Sequence, residues 1–193
     1  MDDLPVHSHL ELARFYWKMT LQPGDWVIDA TCGNGKDILQ LGKCSLGGII
    51  GLDKQQIAIE NTTTLVKNHL QEDQHKKIHL FCTSHIHFPS LAYKHPIRLI
   101  IYNLGYLPGS DKKITTLTED TLKSLKGALE LIMSGGLITI CCYPGHAEGA
   151  REQTLLLQKT QELPPSQYTI CHHSWPNKYA SASLLLIQKK NSY

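Results

Sequence analysis

The stretch Trp26-Val27-Ile28-Asp29-Ala30-Thr31-Cys32-Gly33-Asn34-Gly35-Lys36-Asp37 constrains the fold of this chain more than any other. Trp26 to Ile28 is a short apolar run and predicts a buried strand. Asp29 to Gly35 is a loop of small residues. Ile38, Leu39 and Leu41 then stand among polar neighbours and predict a helix to about Leu41. Gly33 and Gly35 carry no Cβ, so the backbone can turn sharply and come close to a ligand. A strand that feeds a glycine loop into a helix start, where the first N–H groups have no partner within the helix, is suited to holding a nucleotide.

The remaining chain repeats the strand-then-helix pattern. A first helix is predicted over 6–19, capped by Ser8 with Glu11 completing a capping box. It has a broad apolar face of Leu10, Ala13, Phe15, Tyr16, Trp17 and Met19. Further strands are expected at 48–53, 78–82, 97–102 and 137–143. Helices are expected at 55–70, 116–133 and 148–163, with Gly135-Gly136 ending the second of these. A helical turn is expected around 90–93. The last two apolar runs, 168–175 and 183–188, are separated by a segment too short for a crossover helix, so they should pair antiparallel. The fold class is therefore α/β, a doubly wound, mostly parallel, seven-stranded, Rossmann-like sheet with an antiparallel C-terminal hairpin. With 193 residues and no linker or low-complexity tract, a single domain is expected over 1–193.

Composition narrows the class. Hydrophobic residues make up 41% and charged residues 19%, which suits a globular chain rather than a disordered one. No apolar run approaches a membrane span. The acidic start, Met1 to Pro5, lacks the apolar core of a secretory signal, so a cytoplasmic location is expected. The six cysteines contain no CxxC pair and are expected as reduced core thiols, with no metal site. The formal net charge of +2 is too mild to indicate nucleic-acid binding by itself.

The glycine loop does not fit the common nucleotide fingerprints. The acid precedes the glycines, and no third glycine completes GxGxxG. Lys36 is followed by Asp37 rather than Ser or Thr, which excludes a P-loop. An acid at a strand tip followed by GxG resembles motif I of class I S-adenosylmethionine-dependent methyltransferases. Asp53 ends the second strand, beside the first, where a carboxylate can accept both ribose hydroxyl protons. It is equally placed to cap the helix after it. Ser84 and His85 follow the third strand, where the adenine edge would lie, though an ordinary loop cap and a surface His would read the same.

Asn103-Leu104-Gly105-Tyr106-Leu107-Pro108 follows the fourth strand. Methyltransferases acting on amino groups often carry an Asn/Asp-Pro-Pro-aromatic loop there. A side-chain carbonyl accepts the substrate N–H and aims the nitrogen lone pair, and the aromatic ring stacks on the substrate plane. This chain keeps Asn103 and Tyr106 but has Leu104-Gly105 in place of the prolines. A plain turn is the competing reading.

Three segments, 29–37, 103–112 and Tyr-Pro-Gly-His-Ala-Glu-Gly at 143–149, together resemble one small family, the rRNA methylases. Characterised members convert 5-aminomethyl-2-thiouridine at the tRNA wobble position to the 5-methylaminomethyl form. The resemblance spans about 7–190. It implies S-adenosylmethionine as cofactor, held by Asp29, Thr31, Cys32, Gly33, Asn34, Gly35, Asp37, Asp53, Lys54, Ser84, His85 and Asn103. It implies the anticodon stem-loop of tRNA as partner, and makes a homodimer plausible.

An alkylamine has a pKa of roughly 10 and must lose a proton before attack. His146, Asp111 and Tyr106 are the candidate acceptors, with His146 best matched to the task unless it only caps the helix from Glu148. Asn103 is the first choice for positioning. Lys112, Lys113, Arg151 and Lys178 are candidate RNA contacts, a solvated surface being the alternative for each. Methylation of ribosomal RNA, a small-molecule amine methyltransferase and a non-catalytic nucleotide-binding module stand as rivals. The segment 177–182 departs from the family's usual Asn and two prolines, which leaves the acceptor less certain than the cofactor.

Overall fold

The structure is a computed structural model and describes residues 8–105 and 116–191. Seven strands form one sheet: β1 (Trp26–Asp29), β2 (Gly48–Asp53), β3 (Ile78–Cys82), β4 (Ile97–Asn103), β5 (Ile132–Cys142), β6 (Tyr168–His173) and β7 (Ser183–Lys189). Their order is β3-β2-β1-β4-β5-β7-β6. The first five are parallel, and β7 runs antiparallel to both β5 and β6, with Cys141 opposite Leu184 and Cys171 opposite Leu186. This is the sheet read from the sequence, hairpin included.

The apolar runs are continuous because the central strands are covered on both faces. Val27, Ile49, Leu99, Ile101 and Leu184 face one layer. It holds helices α1 (His9–Thr20), α2 (Lys36–Gly42) and α3 (Gln56–His69), through Trp17, Ile38 and Val66. Their neighbours Ile28, Ile50, Ile100 and Leu185 face the other layer. There lie α5 (Thr118–Leu131) and α6 (Ala147–Gln161), through Leu125, Ala128 and Leu156, with a 3-10 turn at Ser90–Lys94. A short α4 (Glu72–His75) precedes β3. Among the described residues no helix is long and apolar enough to cross a membrane.

Three local expectations are corrected. The helix expected to run to Met133 stops at Leu131, and β5 begins at Ile132, so Gly135 and Gly136 lie inside the strand. Gly135 has φ +74, and the pairing of β4 with β5 shifts register between Ile97 and Leu99. The glycines thus mark an irregularity in a strand rather than a helix stop. Of the cysteines, Cys32, Cys141 and Cys142 are buried, but Cys44, Cys82 and Cys171 are exposed, and all six are free thiols. On α1 the face that meets the sheet is Leu12, Ala13 and Trp17, whereas Phe15 and Met19 point to solvent. The Ser8 hydroxyl does cap this helix, accepting the Glu11 N–H at 3.5 Å.

Candidate functional site

The β1–α2 loop lies at the C-terminal edge of the sheet, where the connections from β1 and β4 part to opposite faces. This is the switch point at which doubly wound sheets bind ligands. A cleft of about 810 Å³ opens there, lined by the loop 30–34 with Lys36 and Asp37, by Asp53 to Gln55, Ser84 and His85, by 103–105 with Thr116, Leu117 and Asp120, and by Tyr143, Gly145, His146, Ala180 and Ala182.

Backbone bonds tie the loop to both neighbouring strands. Ala30 N–H donates to Ile101 O at 2.9 Å, and Cys32 N–H donates to Leu52 O at 2.9 Å. Gly35 adopts φ +77, and a Cβ there would come within 2.7 Å of the Thr62 side chain. Thr62 also donates its hydroxyl to Gly33 O at 2.8 Å. Gly35 is therefore required by the packing of α3 on the loop and by its left-handed backbone.

Asp53 both caps and faces the cleft. One carboxylate oxygen accepts Gly33 N–H at 3.0 Å, and the other accepts Gln55 N–H at 2.8 Å. Each oxygen retains a lone pair for a further donor. Burial raises its pKa, partly offset by these two bonds and by Lys54. Asp29 is placed differently from the sequence expectation. It is 1% exposed and stands behind the cleft wall, accepting Thr31 N–H at 3.2 Å. Burial, then the nearby Asp37 carboxylate, push its pKa well up.

Asp37 takes the position on the wall. Its Oδ1 accepts Arg14 Nη2 at 2.8 Å and Arg14 Nε at 3.2 Å, and its Oδ2 accepts Asn103 Nδ2 at 2.9 Å. Asn103 is fixed a second time by its backbone N–H, which donates to Thr31 Oγ1 at 2.6 Å. The Asn103 Oδ1 atom is buried and has no hydrogen-bond partner among the described residues. Because a carboxylate facing Asn103 can only accept, the amide must present its oxygen on the opposite side. Arg14 carries no motif and the sequence reading missed it. The bond connects residues 23 apart on separate elements, so periodicity could not reveal it.

On the adenine side expected from the sequence, His85 is 9% exposed, and burial lowers its pKa to about 4, so the ring is neutral near pH 7. Its Nε2 is buried without a hydrogen-bond partner. On the opposite wall, His146 is the N-cap of α6, its Nδ1 accepting Gly149 N–H at 3.1 Å. That bond places the neutral ring's proton on Nε2 and engages the Nδ1 lone pair. Tyr143 donates to or accepts from His9 Nε2 at 2.9 Å, and burial raises its pKa.

Beyond Gly105 the wall is anchored by a clasp. Thr116 N–H donates to Gly105 O, and Gly105 N–H donates to Thr116 Oγ1, both at 2.9 Å. The Thr116 hydroxyl donates to the buried Glu152 at 3.0 Å. The expected site residues Tyr106, Asp111, Lys112 and Lys113 lie outside the described residues. Arg151 is absent from the cleft lining and pairs with Glu119, at 3.2 Å through Nη1, and with Glu148 at 3.5 Å. Lys178 is exposed, two residues before the cleft-lining Ala180. Among the described residues no group of His, Cys, Asp and Glu could hold a metal ion.

The "Putative rRNA methylase" family model matches residues 49–189. A tRNA (mnm(5)s(2)U34)-methyltransferase, chloroplastic, from Arabidopsis thaliana is 33% identical over 190 residues, covering 94% of this chain and 69% of that protein. A crystal structure from Clostridium thermocellum, titled a "putative rRNA-methylase", superimposes with a TM-score of 0.86 at 29% identity and covers 96% of this chain and 100% of that one. A "putative methyltransferase" from Streptococcus mutans, solved in complex with SAH, gives a TM-score of 0.80 at 27% identity over 98% and 99% of the two chains. With the family model and a relative spanning nearly its whole length, the chain belongs to the rRNA methylase family and is a methyltransferase.

Proposed function

We propose that this methyltransferase takes its methyl group from S-adenosylmethionine and N-methylates the 5-aminomethyl group of (2-thio)uridine at wobble position 34 of tRNA. The observation that carries the reading is the orientation of Asn103, a residue of the cleft lining: its nitrogen is committed to Asp37, while its side-chain oxygen is buried and has no hydrogen-bond partner among the described residues. An acceptor held in that way suits a substrate nitrogen that brings N–H groups.

The residues present fit the cofactor. The loop from Thr31 to Asn34 lines the cleft and offers its backbone to the cofactor, while Gly35 behind it is packed on Thr62. Asp53 keeps acceptor capacity for ribose hydroxyls, and the neutral His85 lines the expected adenine side with an unpartnered Nε2. When bound, S-adenosylmethionine supplies a sulfonium methyl whose leaving group needs no acid catalyst. The protein's task is alignment. Asn103 accepts an N–H of the substrate amine and so directs the nitrogen lone pair along the cleft. His146 and Tyr143 form the facing wall. We assign His146 to holding the α6 start rather than to taking the substrate proton, because its free-base lone pair is engaged by Gly149. The exposed Lys36 and Lys54 on the cleft, and Lys178 near it, offer positive charge to RNA phosphates.

The Arabidopsis relative is named a tRNA (mnm(5)s(2)U34)-methyltransferase, and that likeness supports choosing tRNA over ribosomal RNA. The test is mass spectrometry of nucleosides after incubating the purified enzyme and S-adenosylmethionine with tRNA carrying 5-aminomethyl-2-thiouridine. Conversion to the methylaminomethyl nucleoside is expected. Unchanged tRNA together with methylated ribosomal RNA would overturn the substrate assignment, and loss of S-adenosylmethionine binding in calorimetry would overturn the cofactor assignment.

A further inference from the structure

Asparagine is an ambivalent ligand. Its amide oxygen and nitrogen are nearly the same size, and a half-turn about the last side-chain bond exchanges an acceptor for two donors. For Asn103 this choice decides whether the cleft offers an acceptor or a clash to a substrate amine. The bond to Asp37 Oδ2 settles it, and that bond requires Asp37 to present a free oxygen at the right place.

Arg14 holds Asp37 so that it does. Both Arg14 Nε and Nη2 converge on the same carboxylate oxygen, Oδ1, leaving Oδ2 to Asn103. A guanidinium has donors only and stays charged, so its side of the contact cannot invert. The helix that carries it is itself fixed against the cleft edge. Trp17 Nε1 donates to Thr139 Oγ1 at 3.0 Å under the sheet, and His9 Nε2 meets the Tyr143 hydroxyl on the cleft wall. The pair is partly sheltered, with side-chain exposures of 26% for Arg14 and 10% for Asp37.

We propose that Arg14 is a positioning residue which, through Asp37, fixes the Asn103 amide with its oxygen toward the substrate. Arg14 lies behind Asp37 and acts on the reaction only through this chain of bonds. The kinetic consequence rests on the amine-methylation reading given above, whereas the orientation of Asn103 does not.

The experiment has two arms. In the first, the Asn103 side-chain NH2 signals are identified in a 15N-labelled protein by their loss in Asn103→Ala. In the wild type one of these protons should be protected from exchange. Arg14→Gln should remove that protection, and Arg14→Lys should keep part of it. In the second arm, Arg14→Gln should leave the affinity for SAH within about threefold and lower kcat roughly 10- to 100-fold, the cost of a misaligned group. Arg14→Lys should recover part of the rate. In an Asn103→Ala background Arg14→Gln should add less than about twofold, because the two act as one unit. Unchanged amide protection in Arg14→Gln, a fall in SAH affinity that tracks kcat, or losses that multiply in the double variant would each overturn the proposal. If the wild-type enzyme leaves aminomethyluridine tRNA untouched, the substrate assignment fails, and the amide signals still decide the role of Arg14.

Discussion

The Thr31 hydroxyl accepts the backbone N–H of Asn103 at 2.6 Å, joining the tips of β1 and β4 across the floor of the cleft. The contact couples the loop expected to hold the methyl donor to the residue expected to hold the acceptor. Thr31→Val keeps the shape and removes the oxygen, which leaves a partly buried N–H unsatisfied. A stability loss of about 1–3 kcal/mol is expected from denaturant titration. kcat should fall more than SAH affinity, because the residue displaced is Asn103.

Asp53 carries two backbone bonds and, by the proposal, the ribose. Asp53→Asn retains one acceptor oxygen and should weaken SAH binding at least about tenfold, since an amide cannot satisfy two donors in the same plane as a carboxylate does. Asp53→Ala should cost more and also lower the melting temperature, because Gly33 and Gln55 lose their partner. Calorimetry and thermal melts separate the two effects. Full SAH affinity in Asp53→Ala would exclude the ribose role.

Gly35→Ala tests the loop itself. The substitution places a methyl group 2.7 Å from Thr62 at a φ of +77 that alanine rarely adopts. A destabilisation on the order of 1–3 kcal/mol is expected from backbone strain, with additional loss from the clash. Adding Thr62→Ser on top should relieve part of the clash and none of the backbone cost.

His85 should make the fold acid-sensitive. Its pKa is held near 4 by burial, against 6.5 for an ordinary histidine. Below 6.5 the unfolded chain takes up a proton that the folded chain refuses. The stability linked to His85 is therefore complete above pH 6.5 and declines as the pH falls through the window to about 4. At 1.36 kcal/mol per unit, the full difference is about 3 kcal/mol. Asp29 and Glu152 have raised pKa values and act in the opposite sense, losing stability as pH rises past the ordinary carboxylate range. The clean readout is the difference between wild type and His85→Gln. Relative to the variant, the wild type should lose stability between pH 6.5 and 4, and a constant difference would show that burial does not lower the His85 pKa.

Thiol reactivity should divide the cysteines into two groups. Cys44, Cys82 and Cys171 are exposed and should react quickly with a disulfide reagent in the native state. Cys32, Cys141 and Cys142 should react only on unfolding. Burial raises the pKa of each, to about 12 for Cys142, which leaves almost no thiolate to attack. Fewer than three fast thiols would mean that one of the exposed set is covered, for instance by a second copy of the chain.

The strand positions and the loop were legible because both depend on local patterns. Trp26 to Ile28 and Gly48 to Asp53 are apolar runs bounded by turn residues, and the short connection after His173 could only make a hairpin. Gly135-Gly136 misled for a physical reason. Glycine after a helical stripe usually marks a left-handed cap, yet here the left-handed residue is spent on an irregularity in β5 opposite β4. The place of Asp53 was legible because it ends the strand next to β1, and it does line the cleft. The site was illegible where a side chain bonds through another, as Arg14 does to Asp37 and Asp37 to Asn103, and where only one of two acids expected at the cofactor reaches the cleft. Asp29 and Asp37 are alike in a sequence, and only the path of the backbone puts one behind the wall and the other on it. His146 was read as either base or cap, and the bond from Gly149 favours the cap.

The hairpin has a consequence for how the molecule comes to exist in a cell. β7 is the last strand in the chain, yet it occupies an interior place in the sheet, between β5 and β6. Until it emerges from the ribosome, β5 is an open edge and β6 has nothing to pair with. Unpaired strand edges are where nascent chains stick to one another. A ribosome that stalls before Ser183 would therefore release a chain with most of its cleft encoded and no way to close its sheet. A chain without β7 should therefore expose the edge of β5 and aggregate readily.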